Sequence, residues 1–492
     1  MRWVGGENGA MTTIPDRGLD AIVVGSGPNG LAAAITLARA GLAVRVYEGA
    51  PTAGGGLRSA ELTLPGFVHD PCATVVATAL VSPFFRSLDL AALGVELAHP
   101  EVAAAHVLEP DRGVLLHRSV EATAAGLGRD GAAWRRLVGP LARDAEQLMP
   151  WILGPVPRPT RHVIAAARFG PAALLPAAGL AGLAFRDEPA RALLGALAAH
   201  AMVPLESPGS AAFGLVLATA AHAVGWPVVR GGSQRLADAL VGEVRRLGGE
   251  VITDAPVRRL ADLPPARAVL LAVTPRQLVA LAGDALPVGP RRRLERFRYG
   301  PGVCKVDWAL DGPIPWRDPA LARAGTVHLG GALGQVAAGE RAVAAGRIPR
   351  RPFVIVVQAS VMDPSRAPAG RHTAWAYAHV PHGSEADVTD AIEREVERAA
   401  PGFRDLVLAR HTRTAAGHEA YNPSYVGGDI GGGLATLPQV IARPTLAWDP
   451  YRTTLAGVYL CSASTPPGGG VHGMAGHRAA RSALRREFRI RA

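Results

Sequence analysis

A glycine cluster, Gly25-Ser26-Gly27-Pro28-Asn29-Gly30, lies between two apolar runs and constrains this chain more than any other feature. Ala21 to Val24, just before it, reads as a short buried parallel strand. Leu31 to Ala40, just after it, reads as an alanine-rich helix stopped by Gly41. Ala43 to Tyr47 reads as a second strand, and Glu48 stands at its end. Strand, glycine turn, helix, strand and acid in this order make a βαβ unit of the dinucleotide-binding kind. Gly25 permits the tight turn, Gly27 lets backbone approach a pyrophosphate, and Gly30 lets the helix pack on the strand. Pro28 and Asn29 open the helix, whose free N–H groups and positive dipole end face a phosphate. Glu48 accepts hydrogen bonds from a ribose and repels a 2′-phosphate.

At 492 residues the chain exceeds one simple core, so two or more domains are expected. Its net charge of +11 comes from scattered arginines, with a single lysine, Lys305. Without a basic stripe interleaved with aromatics, no nucleic-acid partner is expected, although mild attraction to anionic surfaces fits the charge. Cys72, Cys304 and Cys461 are far apart and form no C-x-x-C. They support neither a redox dithiol nor a zinc site, and they suit a reducing cytoplasm. His379 and His382 have metal-like spacing but no completing ligands, so no metal is expected. Residues 1 to 18 lack the apolar stretch of a signal peptide and read as a loose leader, with Met11 as an alternative start. Phe169 to Phe185 is uncharged but short and broken by Pro171 and Pro176. It reads as a buried or tunnel-lining helix, with interfacial membrane contact as the alternative. The expected location is cytoplasmic, or peripheral to the inner membrane face.

Residues 81 to 225 look mostly helical. Gly126 to Gly131 repeats the glycine spacing, but no strand precedes it and Asp130 reads as a helix N-cap, so it is not a second nucleotide site. Ser233 reads as the cap of a helix with Leu236, Leu240, Val244 and Leu247 on one face. Glu250 to Thr253 and Ala268 to Val273 then read as strands, so the nucleotide fold resumes there. Val303 to Leu310, Phe353 to Ser360 and Thr373 to Val380 read as an antiparallel sheet of a second domain. Gly457 to Cys461 is a further strand, followed by a glycine loop and a helix from Met474 to Arg486.

These parts, with Gly54 to Arg58, Asn422-Pro423-Ser424, Gly427 to Ile430 and Tyr459 to Gly470, resemble the phytoene desaturase-like and amine oxidase-like flavoprotein superfamily. Bacterial phytoene dehydrogenase-related oxidoreductases are the closest in look, and the likeness runs from about residue 20 to 486. It implies an α/β fold with a Rossmann-type FAD-binding domain in three segments, 19–80, 226–290 and 426–492. An α+β substrate domain is interleaved, mostly helical over 81–225 and with an antiparallel sheet over 291–425. It implies non-covalent FAD in extended form. Gly25, Gly27, Pro28, Asn29, Gly30 and Glu48 would hold its ADP half, with Gly55, Gly56 and Arg58 near the pyrophosphate or flavin. Val257 would meet the adenine through its backbone, and Gly469, Gly470 and Val471 the pyrimidine edge of the flavin. Many members carry Gly-Asp where this chain has Ser462-Ala463. The ribityl contact then falls to Ser462 or Ser464, or is lost.

Two catalytic candidates stand out. Lys305 lies in a substrate-domain strand, where amine oxidase-like enzymes carry a lysine water-bonded to flavin N5. A lone lysine among arginines points to a need that a planar guanidinium cannot meet. His472 in the glycine loop is a candidate base or substrate contact, with backbone hydrogen bonding as its structural alternative. Tyr421, Tyr425 and Trp448 are candidate walls of a substrate cavity. The expected reaction is hydride removal from a largely apolar organic substrate, making a C–C double bond. Oxygen or a quinone would reoxidise the flavin, since no second nucleotide fold is present. Amine-type C–N oxidation through Lys305, a redox-neutral flavin-dependent isomerase, and an inactive flavin-holding scaffold are the alternatives.

Overall fold

The computed structural model describes residues 18–156 and 158–491; the leader and Met11 lie outside them. Strand β1 (Ala21–Val24), helix α1 (Pro28–Arg39) and strand β2 (Val44–Tyr47) form the predicted βαβ unit. β1 is fully buried and sits at the centre of a five-stranded parallel sheet. The order is 458–460, 268–271, β1, β2, 250–252, so three distant stretches of chain build one Rossmann-type sheet. A sheet covered on both faces needs continuous apolar strands, and Ala-Ile-Val-Val and Ala-Val-Leu-Leu supply them. The C-terminal helix Met474–Glu487 packs against α1. A Cβ on Gly476 would fall 1.7 Å from the Asn29 carbonyl oxygen, so only glycine permits this approach.

The second sheet has seven strands, in the order 407–413, 302–310, 372–380, 354–357, 324–329, 102–109, 112–116. It is mixed rather than antiparallel, because 324–329 and 102–109 run parallel. The mostly helical region 81–225 contributes two strands to this sheet, Val102–Glu109 and Arg112–Leu116. The Val-Ala-Ala-Ala start of the first carries a helix-favouring composition, and burial between neighbouring strands overrides it. Strands 324–329 and 407–413 also escape the sequence reading; the latter is a half-exposed edge without clean alternation.

Two expected caps act differently. Ser233 precedes helix Gln234–Arg246 but donates its hydroxyl to the Ala73 carbonyl at 2.6 Å. Asp130 precedes helix Gly131–Arg143, yet its carboxylate accepts the amides of Arg186 and Asp187. Phe169 to Phe185 divides into helices Val163–Leu174 and Ala177–Ala184, bent by 110°. Phe169 and Phe185 are buried while Leu174 and Leu183 are exposed. Among the described residues, no single helix is long and apolar enough to cross a membrane.

Candidate active site

A cavity of about 790 Å³ draws its walls from both sheets. At one end lie Tyr47, Glu48, Gly49, Ala50, Pro256 and Val257. Glu48 is buried; one carboxylate oxygen accepts the Ser26 amide at 2.8 Å and the Ser26 hydroxyl at 2.6 Å. Its other oxygen accepts the Ala50 amide at 2.9 Å and lies 3.5 Å from the Arg58 guanidinium. The turn holds the acid at the C-terminal end of β2, where dinucleotide-binding folds place their ribose-binding acid.

Next come the motif glycines, with Pro28 and Asn29 in the same wall. Gly25 has φ +95°, and a Cβ on Gly30 would sit 1.9 Å from the Gly25 carbonyl oxygen. The Gly54–Gly56 loop meets this turn backbone to backbone: a Cβ on Gly55 would lie 2.8 Å from Gly27 Cα. Arg58 lies 5.4 Å from the Tyr421 ring, and its Nε is buried without a hydrogen-bond partner. An unmet guanidinium donor beside a helix N-terminus and two glycine turns is a fit for a pyrophosphate.

Beyond this point Gly432, Ser462, Ala463, Ser464, Gly470 and Val471 line the cavity. Ser464 gives its hydroxyl proton to the Gly432 carbonyl at 2.7 Å and its amide to the Ser462 hydroxyl at 3.1 Å. Of the two expected substitutes for the ribityl aspartate, Ser462 is therefore better placed to donate. Gly469 is exposed and lies outside the lining; only Gly470 and Val471 of the loop reach it.

The candidate catalytic residues occupy the expected strand and loop, but neither lines the cavity. His472 is buried and outside the lining. Its Nδ1 accepts the Met474 amide at 3.1 Å and its Nε2 lies 3.1 Å from the Gly468 carbonyl oxygen. Burial pushes it down to about 4, so it is a neutral tie across the glycine loop. Lys305 is 2% exposed and pairs with Asp307 in the fully buried strand 302–310. Burial lowers its pKa, and Asp307 opposes that shift. Its ammonium lies 4.8 Å from the Trp375 ring centre, and Trp375, not Lys305, lines the cavity. His69 and His411 approach Asp307 at 3.8 and 3.9 Å, so the lysine belongs to a buried charged cluster behind the wall.

Tyr421 and Tyr425 line the cavity. Trp448 does not: it is 80% exposed and lies beside Arg158. The far end is instead walled by residues the sequence did not single out, among them His200, Trp226, Thr326, Trp375 and Tyr377. Trp375 and Tyr377 alternate on strand 372–380, opposite Val357 and Ile355 of the neighbouring strand. That period of two was the one available signal. His200 lies 3.0 Å from His328 and is pushed down to about 3 by burial, so this end is uncharged. Among the described residues, the only carboxylate in the lining is Glu48, at the opposite end.

The sequence signature of the NAD(P)-binding Rossmann-like domain family matches residues 23–88. Over 95% of its length the chain is 26% identical to pyridine nucleotide-disulfide oxidoreductase domain-containing protein 2 of Rattus norvegicus, covering 93% of that protein. A shorter stretch of 110 residues, 22% of this chain and 20% of its relative, is 34% identical to one subunit of the limonene dehydrogenase of Castellaniella defragrans. Among solved structures, an oxidoreductase from Methanosarcina mazei matches with TM-score 0.62 at 16% identity, over 95% of this chain and all of that one. Putrescine oxidase bound to putrescine matches with TM-score 0.60 at 18% identity, over 95% and 99%. Cyclohexylamine oxidase from Brevibacterium oxydans matches with TM-score 0.58 at 15% identity, over 96% and 100%. The chain thus carries a Rossmann-type nucleotide-binding domain within the fold of the amine oxidase-like, FAD-type oxidoreductases.

Proposed function

We propose that this protein is an FAD-dependent oxidoreductase that takes a hydride from one carbon of a neutral, largely apolar organic molecule while the adjacent carbon loses a proton to the medium, leaving a new C–C double bond. FAD rather than a nicotinamide is supported by the length of the cavity, which continues past the pyrophosphate turn to a second glycine loop. Glu48 would hold the ribose, the α1 N-terminus with Gly25, Gly27 and Arg58 the pyrophosphate, and Ser462 the ribityl chain. When bound, FAD supplies the hydride acceptor. The chain's own part is to bury the substrate against Trp226, Trp375 and Tyr377 and to exclude water from it.

The observation that carries the neutral-substrate reading is that, among the described residues, no carboxylate lines that far end. A substrate ammonium buried there would have no counter-charge, which is costly. Amine oxidation is the second reading, favoured by the shared fold with putrescine and cyclohexylamine oxidases. Anaerobic mixing of the flavin-loaded protein with neutral alkenes and with primary amines separates the two. Bleaching of the flavin by amines alone would sink the desaturase reading. Rapid mixing of reduced protein with oxygen or a quinone then identifies the acceptor.

A further inference from the structure

A second cavity, of about 430 Å³, shares no lining residue with the first. Five of its lining residues are arginines: Arg158, Arg478, Arg481, Arg485 and Arg486. Four come from the C-terminal helix Met474–Glu487, spaced three, four and one apart, and so project from one side of it. One carboxylate, Asp449, shares the cavity and is already engaged by the Ser482 hydroxyl and by Arg486 at 3.5 Å.

Arg478 and Arg158 are held in place by groups that do not cancel their charge. Arg478 donates to the carbonyls of Leu153 at 3.2 Å and Pro150 at 2.7 Å. Arg158 donates to the Trp448 carbonyl and lies 5.5 Å from the Trp448 ring. Burial lowers the pKa of Arg478, Tyr451 opposes that shift, and the charges of Arg158 and Arg481 add smaller lowering contributions. Arginine does not shed its proton in proteins, so these guanidiniums stay charged. Guanidiniums fixed by neutral acceptors are pre-organised for a tetrahedral oxyanion, which they bind through paired N–H groups. The cavity is roomier than one phosphate needs, and the exposed Trp448 indole beside Arg158 offers a flat apolar face to an organic body.

We infer that the arginine cavity between the C-terminal helix and the Trp448–Tyr451 segment binds a phosphate-bearing ligand. The phosphate belongs either to a soluble ester or to a lipid headgroup.

Inorganic phosphate is titrated calorimetrically into the flavin-loaded protein against a chloride control of equal ionic strength. Saturable binding is expected, weakened at least tenfold in the R158Q/R485Q double variant with cofactor content unchanged. Arg485 is exposed, so R485Q alone serves should the double variant not fold. Co-sedimentation with phosphatidylcholine vesicles, with and without phosphatidic acid, assigns the source. Arginine-dependent binding to phosphatidic acid, displaced by phosphate, identifies a headgroup; phosphate binding without sedimentation identifies a soluble ester. No binding of either probe above the control, or equal affinity in the folded variants, overturns the inference.

Discussion

Lys305 and Trp375 lie on adjacent strands with the ammonium 4.8 Å from the indole centre, and of the two only Trp375 lines the cavity. The one lysine of the chain thus packs against a wall aromatic. Replacing it with methionine leaves Asp307 buried among His69 and His411 without its main counter-charge. Breaking a buried pair from one side costs about 3–5 kcal/mol. Urea unfolding of K305M should show a loss of that order, with D307N/K305M recovering part of it. A loss below about 1 kcal/mol would mean that the pair holds nothing.

Gly30 is the position where the nucleotide turn tolerates least. A Cβ there meets the Gly25 carbonyl oxygen at 1.9 Å, and the obstacle is backbone. G30A should lose most of its bound flavin, read as visible absorbance per mole of folded protein. Gly242, exposed in helix Gln234–Arg246 with nothing near its Cβ direction, is the control. G242A should keep its flavin and gain about 0.5–1 kcal/mol. Full cofactor content in G30A would place the nucleotide elsewhere.

Trp226 and Trp448 make a matched pair for the cavity wall. The first lines the far end and the second is at the surface. W226A should lower the rate of substrate-dependent flavin reduction at least tenfold, while W448A should leave it unchanged. The reverse ranking would move the reacting end of the site.

Burial pushes His69, His106, His472 and His477 down to about 4, and His200 and His418 to about 3. In the unfolded chain each takes up a proton near 6.5; in the folded chain it does so only well below that. Over this window the unfolded state holds more protons, so stability falls as pH is lowered from about 6.5 toward 4. One uncoupled histidine contributes up to about 1.4 kcal/mol per pH unit. The melting temperature should therefore drop steeply between pH 7 and 5 at constant salt. A flat or rising profile would mean that these imidazoles are hydrated.

Much of the nucleotide fold was legible because it is local. Ala21 to Glu48 forms strand, turn, helix and acid within one short stretch, and each residue's role follows from its neighbours in sequence. The strands at 268–271 and 458–460 were legible for a related reason: each is a short apolar run with a glycine or proline nearby, and 250–252 follows directly on Gly248-Gly249. Val102–Glu109 was not, because three successive alanines read as helix until a partner strand is present.

For the reacting end, residue type and position in the chain were insufficient. Trp448 and Trp375 look equally eligible as cavity walls, and only strand pairing buries one and leaves the other exposed. His472 stands in the expected loop, yet its ring is spent on the loop's own backbone. The sequence by itself determined the Rossmann-type glycine turn, through glycine conformations and one acid whose demands are met within a few residues. The tertiary structure alone decided the far end of the cavity, because its walls combine His200 and Trp226 with strands 324–329, 354–357 and 372–380, and exposure there depends on which face each strand turns inward.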